Sequence, residues 1–108
     1  MTVELLSSEK DFNSISLPCP EREIDGAYVC DLLSWVMGRA EADNAWITIM
    51  SNVNVIAVAT LTDVSCVIFA EGVMPDCEVV SIATEKGVNL LSTPLSAYQC
   101  SKRIGELL

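Results

Sequence analysis

Apolar residues come along this chain in short dense runs, and the stretches between the runs carry them at a different spacing. Residues 27–30 (AYVC), 45–50 (AWITIM), 66–70 (CVIFA) and 88–92 (VNLLS) are near-continuous apolar runs. Runs of this length, enriched in β-branched and aromatic residues, predict strands covered on both faces. Between and after them, apolar positions recur at three- and four-residue steps. The sets are Leu32, Leu33, Val36, Met37 and Ala40; Val53, Ile56, Ala57 and Thr60; Val79, Val80 and Ala83; and Ala97, Cys100, Ile104, Leu107 and Leu108. That period predicts helices.

The punctuation agrees with the pattern. Asp31 is read as the N-cap of the first of these helices, and residues 51–54 (SNVN) supply cap-type residues to the second. Pro75 suits the first turn of the third, Gly87 stops it, and Thr93-Pro94 opens the last. Ahead of Gly26, residues 1–10 predict a short helix with Val3, Leu5 and Leu6 on its apolar side. Residues 12–17 (FNSISL) alternate weakly as a strand, and 18–23 (PCPERE) form a turn, because two prolines cannot sit in a continuing ladder.

Four strand–helix units from Gly26 to Leu108 imply an α/β fold. The expectation is a three-layer α/β/α sandwich around a mostly parallel sheet of about four to five strands. One domain covers residues 1–108, with residues 1–25 as an N-terminal helix and extra strand and residues 26–108 as the repeating units.

Composition sharpens this picture. The hydrophobic fraction of the 108 residues is 51% and the mean hydropathy is +0.42. A body this small has much surface for its volume, so so much apolar side chain points to cover from a second subunit. A homodimer is the commonest arrangement that supplies it. Tyr28, Trp35 and Met37 are the candidate contributors, with core packing as the alternative for each. No apolar run approaches the roughly 20 residues of a membrane span. The N-terminus lacks a basic-then-apolar leader layout, and the expected location is the cytoplasm. The net charge of −9 on six Lys and Arg leaves no basic footprint for nucleic acid.

Chemistry is sparse. Histidine is absent, which removes Ser-His-Asp and Cys-His constellations. Cys19, Cys30, Cys66, Cys77 and Cys100 include no close pair, so neither a metal site nor a cofactor is expected, and their odd number argues against a disulfide framework. Cys30, Cys66 and Cys100 read as small buried residues, and Cys19, between two prolines, as the most exposed thiol. No phosphate-binding glycine fingerprint is present.

In a parallel sheet, ligands sit beyond the carboxyl ends of the strands. That rule gathers Asp31 and Ser34 after the first run, Ser51, Asn52 and Asn54 after the second, Glu71 and Gly72 after the third, and Ser92 and Thr93 after the fourth. Their hydroxyls, amides and nearby backbone N–H groups suit a small polar or nucleotide-like ligand; helix capping alone explains the same residues. Asp31 and Glu71 are the two carboxylates placed for acid–base work, which leaves a carboxylate-dependent enzyme as a weaker reading.

The ordered set of features resembles the DRTGG domain in small stand-alone form. The carriers are Gly-x-Tyr-Val-x-Asp-Leu-Leu-Ser at 26–34, Met37-Gly38, WIT at 46–48, the helix from Asn54 to Asp63, the strand ending Glu71-Gly72, and the closing TPLSAYQCSKRIGELL. The name-giving signature is altered: the chain has Glu21-Arg22-Glu23-Ile24-Asp25-Gly26-Ala27, with Ala27 in place of the second glycine. The resemblance implies a fold similar to the N-terminal domain of HPr kinase/phosphorylase, without the kinase domain. It further implies a non-catalytic regulatory or dimerisation module, with an unidentified protein partner or small polar ligand as further possibilities. It carries over no functional residues.

Overall fold

A computed structural model describes residues 1–108. The elements in chain order are α1 (Val3–Ser7), β1 (Asn13–Ser16), β2 (Gly26–Val29), α2 (Leu33–Arg39), β3 (Asn44–Thr48), α3 (Val53–Thr62), β4 (Cys66–Phe69), α4 (Cys77–Lys86), β5 (Leu90–Ser92) and α5 (Ala97–Leu107). The five strands form one sheet in the order β1-β5-β4-β3-β2. β2, β3, β4 and β5 are parallel, and β1 closes one edge antiparallel to β5.

Alternation along each strand builds two cores from one sheet. Trp46, Val67, Phe69 and Leu90 point to one face, where Val36 of α2, Val55 and Ile56 of α3, and Val79 and Ala83 of α4 cover them. Ala45, Ile47, Cys66, Ile68 and Leu91 point to the other, against Val3 and Leu6 of α1 and Cys100 and Ile104 of α5. The α/β class and its three layers follow from this division. Every residue of β4 and β5 is buried, whereas β2 at the open edge alternates half-buried and exposed.

Several local expectations change. Asp31 does not cap α2: the N-cap position is Leu32, which lends no side-chain hydrogen bond. Pro75 lies ahead of the α4 cap, Asp76, rather than within the first turn. The last helix begins at Ala97, because Ser96 and Gln99 close a reciprocal capping box there. Gly87 does end α4, at φ 76°, a conformation that disfavours any Cβ. Cys30 is only half-buried, while Cys77, at the start of α4, is the exposed thiol in place of Cys19.

Polar residues inside the apolar frame are paired. Asn89 is 1% exposed. Its amide donates to the carbonyls of Cys19 (2.7 Å) and Ser65 (2.9 Å) and accepts from the Cys19 N–H (2.9 Å). The Pro-Cys-Pro turn is thereby moored to the start of β5. Trp46, fully buried, donates its indole N–H to the Cys30 carbonyl at 2.9 Å.

Candidate functional site

The carboxyl ends of β2 to β5 lie side by side, and the connections that leave them bring most of the expected site residues to one edge. Asp31 follows β2, Ser51 and Asn52 follow β3, Glu71 and Gly72 follow β4, and Thr93 follows β5. Ser34 and Asn54 sit in the first turns of α2 and α3, exposed. Ser92 ends β5 at 8% exposure and Thr93 is 1% exposed, so neither offers much to a ligand.

Most polar groups at this edge are used internally. The Asp31 carboxylate accepts from the Thr48 hydroxyl (2.7 Å) and from the Ile49 N–H (2.9 Å), and Thr48 in turn accepts from the Met50 N–H (3.1 Å). Asn52 caps α3 by accepting from the Asn54 N–H (2.9 Å), and Thr93 accepts from the Leu95 N–H (3.2 Å). The N–H groups of Glu71 and Gly72 donate to the carbonyls of Leu95 and Thr93, both at 2.9 Å. These last two bonds hold Glu71 at φ 60°, a left-handed conformation that costs a residue with a Cβ roughly 1 kcal/mol. They lock the connection after β4 onto the one after β5.

The electrostatics of the edge are one-sided. Segments 30–32, 49–52, 70–76 and 93–96 contain Asp31, Glu71 and Asp76 and no Lys or Arg. The exposed apolar side chains Leu32, Ile49 and Met74 lie among them. An anionic ligand therefore finds few free N–H groups and no side-chain cation here. A groove of about 340 Å³ opens elsewhere, between α3 and α4, lined by Val53, Ile56, Ala57, Thr60, Leu61, Ile82 and Lys86. No three His, Cys, Asp or Glu side chains gather as a metal-binding group.

The three residues singled out for a subunit contact lie on β2 and α2. Trp35 is 49% and Met37 50% exposed. The Arg39 guanidinium stacks 4.1 Å above the Trp35 ring, a cation–π contact one helical turn apart. Tyr28 is half-buried against the core under α2. Burial raises its hydroxyl above the ordinary value, Cys30 adds to the rise, and the Arg39 charge opposes it.

Arg22 was not among the expected site residues. Its guanidinium donates to the carboxylates of Asp43 and Asp63 and to the Asp63 carbonyl, each at 2.9 Å. Partial burial lowers its affinity for the proton, and the two carboxylates more than offset this, so it is held protonated above its already high ordinary value. Asp43 and Asp63 both adopt positive φ, where the chain turns into β3 and out of α3. Arg22 thus clamps two turns at the amino edge of the sheet. The signal for it was its place in the signature segment Glu21–Ala27. In that segment a Cβ on Gly26 would stand 3.3 Å from the Asn44 amide nitrogen. Ala27 sits mid-strand opposite Ala45, without positive φ, so the missing second glycine leaves the strand unstrained.

Comparison with known proteins follows this geometry. Among curated proteins none matches the chain. A solved structure of the CBS and DRTGG domains of the regulatory region of Clostridium perfringens pyrophosphatase, complexed with its activator diadenosine tetraphosphate, superposes with a TM-score of 0.67 at 14% identity. The match covers 84% of this chain and 40% of that one, so this chain corresponds to less than half of the regulatory region. At that identity the likeness establishes the fold. The family model for the DRTGG domain matches residues 27–107, from the first parallel strand through the last helix, and the chain belongs to the DRTGG domain family.

Proposed function

We propose that this protein is a non-catalytic regulatory module that works as a homodimer in the cytoplasm. The observation that carries the reading is the match to the DRTGG domain over residues 27–107, a domain that forms part of a regulatory region in the pyrophosphatase. The carboxyl edge supports it physically. Asp31, one of the two carboxylates placed for acid–base work, is instead used structurally, accepting from the Thr48 hydroxyl and the Ile49 N–H. The exposed apolar side chains of a small acidic chain suit assembly. Five unpaired cysteines suit a reducing compartment.

A ligand-responsive role is the second reading. What favours it is that the pyrophosphatase regulatory region is complexed with a dinucleotide activator. In this chain alone the carboxyl edge has no cation for a phosphate, so binding there would need cations from another subunit or protein.

Equilibrium sedimentation tests the first reading, with a thermal-shift series against diadenosine tetraphosphate, ATP and AMP beside it. The expected outcome is a mass of twice 11.7 kDa and melting curves that none of the nucleotides moves. A stable monomer at micromolar concentration overturns the homodimer. A concentration-dependent rise in Tm with a nucleotide replaces the first reading with the second.

A further inference from the structure

We draw no further inference here: the strongest candidate, the apolar groove of about 340 Å³ between α3 and α4, is an unpartnered helix face, and nothing in the structure shows what covers it.

Discussion

The carboxylate of Asp31 lies 2.7 Å from the hydroxyl of Thr48, a residue only 2% exposed, and so ties the connection after β2 to the end of β3. The same carboxylate takes the Ile49 N–H, so one side chain satisfies two donors at the carboxyl edge. Asp31→Ala is expected to lower stability by about 1–2 kcal/mol, since hydrogen bonds to a charged acceptor are lost and a buried hydroxyl is left without its acceptor. Asp31→Asn keeps an acceptor oxygen and should lose roughly half as much. Urea unfolding of both variants, with Thr48→Val completing a double-mutant cycle, measures the tie; a cycle that adds to zero would show that the contact contributes nothing.

The Arg22 clamp has a smaller expected effect. The side chains of Arg22, Asp43 and Asp63 are 28%, 50% and 68% exposed, so solvent screens much of the attraction. Arg22→Ala should destabilise by about 1 kcal/mol, and the difference from wild type should shrink in high salt. Arg22→Lys should recover only part, because a single ammonium cannot reproduce a planar fork reaching two carboxylates. Denaturation midpoints at low and high ionic strength check both statements.

Asn89 is the more costly polar residue to remove. It makes three side-chain hydrogen bonds from a buried position between the Pro-Cys-Pro turn and Ser65. Asn89→Ala should cost about 2–4 kcal/mol, because it strands the Cys19 and Ser65 carbonyls and the Cys19 N–H. Thermal melting and limited proteolysis near residues 18–23 would register the loss, the second by faster cutting in the freed turn.

The buried cysteines should lower the stability of the fold at alkaline pH. Burial pushes the Cys100 thiol up to about 12. Burial raises Cys66 as well, with Cys100 beside it adding to the rise. In the unfolded chain both ionise near pH 8.5. The folded form thus keeps protons that the unfolded form sheds. Stability is full below about pH 8.5 and falls as pH rises toward the folded values. Unfolding free energies between neutral and strongly alkaline pH should decline, and Cys100→Ala should flatten the decline. Thiol titration at neutral pH should modify Cys77 first and reach Cys66 and Cys100 only in denaturant.

Much of the architecture is legible in the residues themselves. The runs at 27–30, 45–50, 66–70 and 88–92 become the four parallel strands because apolar β-branched and aromatic side chains in unbroken sequence have only one good environment, a sheet covered on both faces. The helices follow from period, and the family from an ordered series of short motifs, none of which depends on a contact. Boundaries were less legible where two local signals compete. Thr93-Pro94 offers a helix start, yet Ser96 and Gln99, three residues apart, satisfy each other's backbone and set the start later.

Tertiary structure alone decided what the polar residues do. Asp31 as a helix cap and Asp31 as a tie to Thr48 are the same residue in sequence; which it becomes depends on where β3 ends beside β2. Whether the N–H groups of Glu71 and Gly72 are free for a ligand depends on the carbonyls of Thr93 and Leu95, some twenty residues away in the chain and adjacent only in the sheet. That β1 and β2 are the two edges of the sheet is decided only once strand order is fixed. Side-chain period is a local property that each segment carries with it. Hydrogen-bond partners and sheet edges are relations between segments, and they arise only when the chain has folded.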